Sequence, residues 1–305
     1  MLHCHFESAL RALALTKPER LRYLRAKYDS PAYRLATPAG KLTLLWQNVL
    51  TLTDGEDIFT EDVFRQIVRR LLDEMEASSI EHIDLRIGPS TGRWKWMRSA
   101  ADGLEIFREE LAHHAGLSLS FLAGINMTKT HSQLDAIFDE LGDNTEVSKR
   151  IVGIDINFLT EDLYKFERYL GAIHSLQRGG LKINIHLGEL FDNHLSRYVL
   201  ANITPDRIGH GVLLLRDKEL IEQVKATGAC LDMCPTSNTM LGVVDWRLES
   251  PARRALRLGI PVSINTDDPV LFGTTIDHEI RLAGLTDAER TAVMASGRKY
   301  RYGTS

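Results

Sequence analysis

Four short runs in this 305-residue chain combine side chains that bind divalent metals or move protons. They are His3-Cys4-His5, Ile185-His186-Leu187-Gly188-Glu189, Arg207-Ile208-Gly209-His210-Gly211 and Asn265-Thr266-Asp267-Asp268-Pro269. Side chains alternate along an extended strand, so His3 and His5 project to one side while Cys4 projects to the other. Two imidazoles on one face can share an ion. With eleven histidines in the chain, roughly 0.4 such HxH pairs arise by chance, so that motif alone is weak. Four separate runs of the same chemistry are harder to attribute to chance. Three neutral imidazoles and one carboxylate suit Zn2+, and Fe2+ and other first-row ions accept the same donors. Water bound to such an ion has its pKa pulled from about 15.7 towards ~7, which makes a hydroxide nucleophile available at neutral pH.

The runs need a frame that brings them together. Short apolar stretches rich in β-branched residues alternate with longer stretches of helical period, the pattern of parallel strands joined by crossover helices. Eight strands are expected: Leu2–His5, His82–Ile87, Leu117–Gly124, Ile151–Ile156, Leu181–His186, Arg207–Gly209, Ala229–Met233 and Pro261–Thr266. Helices are expected at Glu61–Ser78, Leu104–His114, Leu134–Leu141, Leu163–Gln177, Lys218–Thr227 and Pro251–Leu258, among others. This is an α/β pattern, a (β/α)8 TIM barrel whose chemistry sits at the C-terminal strand ends. Every metal-binding or acidic run falls at such an end. Roughly 55 residues separate the first strand from the helix at Glu61, too many for a simple loop, so extra helices after strand one are expected to cover the barrel mouth.

Composition narrows the class. Hydrophobic residues make up 44% of the chain and charged ones 26%, with 37 basic against 41 acidic side chains and a net charge of -4. That balance disfavours a nucleic-acid partner, which needs a basic surface. Three cysteines make no disulfide framework. No export signal, no membrane-length apolar run and no dividing linker is visible, so the chain reads as one cytoplasmic domain spanning 1–305. The oligomeric state is left open.

HCHFES, IHLGE, RIGHG, CPTSN and NTDDP, in that order and followed by LFGTTIDHE, resemble the motif series of the adenosine and AMP deaminase family within the metal-dependent amidohydrolases. The resemblance runs from residue 3 to about residue 290. It implies that His3, His5, His186 and Asp267 hold one ion per chain, with Zn2+ the first choice. It further implies that Glu189 protonates N1 of a purine ring, that His210 orients the attacking hydroxide, and that Asp268 hydrogen-bonds N7. Asp267, with Glu189 and His210, then belongs to the catalytic set. Each role makes chemical sense, since hydrolytic deamination needs an activated water, an acid for the ring nitrogen and a proton for departing ammonia.

The departures from the family pattern concern the substrate. Glu7 and Ser8 stand where the family commonly has Asp and Gly, and Glu7 is expected to face a ribose hydroxyl. Ile156-Asn157-Phe158-Leu159 replaces a glycine-containing segment that meets the purine, leaving Gly153 as the glycine on that side, and Asn126 stands where an Arg is usual. The resulting expectation is deamination of a 6-aminopurine nucleoside such as adenosine; free adenine, a purine nucleotide and an N6-modified adenine are the alternatives. A two-metal amidohydrolase would want a carboxylated Lys ending strand four, and Ile151–Ile156 has none. A purine-binding pseudoenzyme would have lost ligands or the proton shuttle, and none is lost. The H-x-E with P-C-x-x-C deaminases are excluded because that arrangement is missing.

Other residues favour plain structural roles. Trp94 and Trp96 in RWKWMR are expected to pack on the barrel, with Arg93, Lys95 and Arg98 as solvated cations around them rather than an anion-reading patch. Cys230 and Cys234 suit a buried or helix-capping role. His82, His113, His114, His131, His174, His194 and His278 are expected to be structural or solvated.

Overall fold

The computed structural model describes residues 1–55, 57–88, 93–143, 145–191 and 193–303. Eight strands follow one another round a single sheet in chain order: β1 (Cys4–His5), β2 (His82–Ile87), β3 (Ser118–Asn126), β4 (Ile151–Asn157), β5 (Lys182–Leu187), β6 (Arg207–His210), β7 (Cys230–Met233) and β8 (Val262–Ile264). All consecutive pairs are parallel. The ring closes through a bridge between Cys4 and Asp267, just past β8. There the His5 amide donates to the Asp267 carbonyl at 2.8 Å and the Asp267 amide to the His3 carbonyl at 3.2 Å. The fold is the expected (β/α)8 barrel, and its closing seam carries His3, His5 and Asp267. Each of the eight expected strands is present, with ends shifted by at most two residues.

The crossover helices form for ordinary reasons. Glu61–Ala77 begins at Thr60, whose hydroxyl accepts from the Val63 amide, and it buries Phe64, Ile67, Val68, Leu71, Leu72 and Met75 at helical spacing against the barrel wall. The long first connection contains the extra helices Ser8–Thr16, Pro18–Ala26, Pro31–Leu35 and Pro38–Thr53. Three of the four start on a proline, where the missing amide proton costs nothing. They reach across the C-terminal face: Tyr33 donates to the Met240 carbonyl at 2.9 Å, and Tyr28 to the Leu271 carbonyl, both just past the ends of β7 and β8. Cys4 points outward, as alternation requires, and lines a cavity of about 620 Å³ on the outside of the barrel.

The barrel's interior is polar at its lower end. Arg207, fully buried on β6, pairs with Asp84 of β2 and, at 3.0 Å, with Asp232 of β7. The Tyr302 ring lies 3.8 Å from its guanidinium carbon, so the C-terminal segment plugs the barrel bottom. Arg207→Met would leave two carboxylates buried without their cation, and breaking such a pair costs about 3–5 kcal/mol. The expected result is a lower urea midpoint with an unchanged m-value; an unaltered midpoint would remove Arg207 from the account of stability.

Candidate active site

The four runs converge at the mouth. The His3 and His186 ring centroids are 4.6 Å apart, His3 and His5 5.0 Å, and His186 and His210 5.1 Å. Asp267 places Oδ1 3.5 Å from His3 Nε2 and 3.4 Å from His5 Nδ1. Glu189 lies between two rings, with Oε2 3.4 Å from His186 Nδ1 and Oε1 3.6 Å from His210 Nε2. Asp268 Oδ1 is 3.0 Å from His5 Nδ1. A side chain at Gly209 would not fit here, because a Cβ would lie 3.0 Å from the His3 ring and 3.1 Å from the His186 ring.

Among the described residues, Nε2 of His3, His5, His186 and His210, with one oxygen each of Asp155 and Asp267, are buried without a hydrogen-bond partner. Leaving such an atom unsatisfied costs about 1–3 kcal/mol. Six together in one pocket fit a cation, which would satisfy several of them at once. Two asparagines prepare the rings. Asn184 stands 3.3 Å from His3 Nδ1 and Asn238 3.2 Å from His210 Nδ1, and both carbonyl oxygens are otherwise unpartnered. With that oxygen turned to the ring, each Asn accepts the Nδ1 proton and leaves the Nε2 lone pair free.

Most of the charges agree with this; His186 is the exception, since burial is outweighed by the Asp155 and Glu189 carboxylates, which raise its pKa to about 10. Burial lowers the pKa of His5, with the nearby Arg86 guanidinium adding to the effect, and burial holds His210 down to about 4. Burial pushes the Asp267 carboxyl up, but His5, His3 and His210 more than offset it and hold it well below the usual range. Glu189 is likewise pushed up by burial and held below its ordinary value by His210 and His186. The backbone is strained at the same place. Of the four non-glycine residues with left-handed φ among the described residues, three are Glu7 (48°), His210 (62°) and Asp267 (60°); each such conformation costs roughly 1–3 kcal/mol and persists where surrounding structure enforces it.

Two substrate-side expectations are corrected. Glu7 does not extend toward a sugar: its two oxygens accept from the Val270 and Leu271 amides at 2.7 and 2.8 Å. The longer side chain reaches across the seam and holds the segment that follows Asp267 and Asp268. Gly153 is not brought to the cluster. It lies low in β4, opposite Lys182, where a Cβ would be 2.6 Å from the Lys182 carbonyl oxygen, so its smallness serves strand packing.

The bland expectations largely hold. Trp94 is buried against Phe59 and Phe64 and donates to the Ser8 hydroxyl at 3.1 Å. Arg93 donates to Thr53 and Arg98 to Asp102, which removes two cations from any anion-reading patch. His82 bonds Asp84 and Ser118. Cys230 and Cys234 are buried, and Cys234 is the N-cap of the helix Pro235–Met240 without making a side-chain cap bond.

Sequence reasoning missed Asp155, Arg86, Asn184 and Asn238. Asp155 lies on β4 with Oδ1 3.0 Å from His186 Nε2, and Arg86 reaches its other oxygen from β2 at 3.6 Å. For Asp155 the available signal is a lone acid inside the otherwise apolar strand Ile151–Asn157, a position that is buried on both faces.

The family model described as adenosine deaminase matches residues 46–293. The chain belongs to the adenosine deaminase family, hydrolases of carbon–nitrogen bonds in cyclic amidines. Its sequence is 26% identical over 326 aligned residues to an adenine deaminase of Rhizobium leguminosarum bv. trifolii, covering 97% of this chain and 93% of that one. In structure it resembles adenine deaminase from Arthrobacter aurescens, with a TM-score of 0.77 and 21% identity over 100% of this chain and 93% of that one. It also resembles a Burkholderia ambifaria amidohydrolase with bound Zn, with a TM-score of 0.74 and 21% identity over 100% of this chain and 85% of that one.

Proposed function

We propose that this chain hydrolyses the exocyclic amine of free adenine, giving the 6-oxopurine and ammonia. The reaction class is supported by the convergence of unpartnered imidazole and carboxylate atoms at the barrel mouth. His3, His5, His186 and Asp267 would hold a divalent ion, Zn2+ being the first choice for this donor set. When bound, the ion supplies a Lewis acid that makes water nucleophilic near neutral pH.

The chain's own residues do the rest. Glu189, held between His186 and His210, delivers a proton to ring N1, which draws electrons from C6 and opens it to attack. His210 accepts a hydrogen bond from the attacking water at its Nε2, takes up a proton as the oxygen attacks, and in that form stabilises the charge that develops there. One water proton passes to the departing nitrogen and the other returns to Glu189 as the carbonyl forms, so water and the aminopurine become the oxopurine and ammonia. Asp268 hydrogen-bonds N7 and sets the ring's orientation.

Free adenine is favoured over the nucleoside by one observation: Glu7, the expected sugar contact, is engaged by the backbone at Val270 and Leu271. The name of the Rhizobium relative points the same way. A nucleotide is disfavoured because Arg93 and Arg98 are already bonded within the protein. The test is ammonia release from adenine, adenosine, deoxyadenosine, AMP and N6-methyladenine under identical conditions. The expected result is a kcat/KM for adenine at least ~10-fold above that for adenosine, a difference of about 1.4 kcal/mol in transition-state binding. Faster turnover of adenosine would restore the nucleoside reading, and no ammonia from any of them would remove the deaminase proposal.

A further inference from the structure

Asp155 is a buried carboxylate that the deamination scheme does not use. It reaches the cluster from β4, a strand that supplies none of the four donors named above. Its Oδ1 lies 3.0 Å from His186 Nε2, yet neither atom has a hydrogen-bond partner. Two buried atoms that close, without a well-aligned bond to each other, are placed to act as donors to a third body. Donors each about 2.0–2.2 Å from one ion stand roughly 3–3.5 Å apart for bond angles between a right angle and tetrahedral, and this pair falls in that range. One donor atom each from His3, His5, Asp155 and His186 also lies within 4.8 Å of the others.

Arg86 explains how Asp155 is held there. Its Nε is 3.6 Å from Asp155 Oδ2, and its Nη2 donates to Asn157 Oδ1 at 2.7 Å. The guanidinium lies flat on β3 because residue 124 is glycine; a Cβ would stand 2.8 Å from Arg86 Nε. The arrangement gives the carboxylate one oxygen facing a cation of the protein and one facing the imidazole cluster. Without Asp155, Arg86 would place an uncompensated positive charge beside the site and oppose a dication.

We propose that Asp155 is a fifth protein donor to the ion held by His3, His5, His186 and Asp267, with Arg86 as its positioning residue. This rests on reading the cluster as a metal centre. It separates a donor role from the ordinary alternative, a structural Asp155–Arg86 pair that lies near the metal without touching it.

The measurement is Zn2+ affinity by chelator competition, with visible absorption of the Co2+-substituted protein as a second readout. Asp155→Asn keeps the size but weakens the donor, and is expected to lower Zn2+ affinity by at least ~10-fold and to intensify the Co2+ bands as the coordination number drops. Arg86→Gln should lower affinity by a smaller factor, because it frees the carboxylate without removing it. Affinity within twofold of wild type for Asp155→Asn, with an unchanged Co2+ spectrum, would overturn the proposal. Should Asp155→Asn fail to fold, the wild-type spectrum still decides: five protein donors and the bound water give the weak bands of a six-coordinate ion, and the stronger bands of a five- or four-coordinate ion would overturn the proposal. A wild-type protein that binds no Zn2+ overturns the metal-centre reading itself, which keeps the two failures distinct.

Discussion

His186→Ala is expected to cost the protein both its metal and its activity. His186 is the hub of the cluster: its Nε2 lies 3.0 Å from Asp155, its Nδ1 3.4 Å from Glu189, and its ring packs against His3 and His210. The substitution removes a neutral nitrogen donor and leaves Asp155, Glu189 and Asp267 facing each other across the gap. Metal content should fall below about one tenth of wild type and kcat/KM by more than ~1,000-fold, since losing an ion's ligand costs more than losing the outer contact that orients one. Elemental analysis and ammonia release on the same sample check this, with circular dichroism to show the barrel intact. Full activity in the variant would remove His186 from the site.

Glu189→Gln should separate proton delivery from metal binding. Glutamine keeps the shape and can still bond His186, but it cannot give up a proton to a ring nitrogen. A lost general acid or base typically costs ~100- to 10,000-fold in rate, so kcat should fall at least ~100-fold while metal content stays near wild type. The control is the ratio of the two losses. If metal and activity fall together, Glu189 acts as a ligand or a prop for His186 and its assigned role is wrong.

The barrel and most of the mouth are legible in the sequence because the signals are local. Parallel strands buried on both faces appear as apolar runs such as Ile151–Ile156, and a histidine or acid at the end of such a run stands out. His3, His5, His186, Glu189, His210, Asp267 and Asp268 were found that way, and the structure brings all seven together. What failed depends on contacts between distant parts of the chain. Glu7 bonds to backbone more than 260 residues away across the closing seam, and no local pattern says that a glutamate will reach its neighbour's amides instead of a ligand. Asp155 was passed over because a single acid in a strand has no companion in sequence; barrel curvature puts it beside His186 of the next strand and Arg86 of β2. The left-handed backbone at His210 and Asp267 was invisible for a similar reason, since neither residue type requires it and the surrounding structure imposes it.

The central claim is that these side chains form one metal centre that drives deamination, and metal content measured on the active enzyme tests it most directly. The purified protein should carry about one divalent transition metal per chain. Activity should disappear with the ion under a strong chelator and return in proportion to Zn2+ or another first-row ion added back. Adenine turnover that is undiminished in metal-free protein, or that requires two ions per chain, would contradict the account.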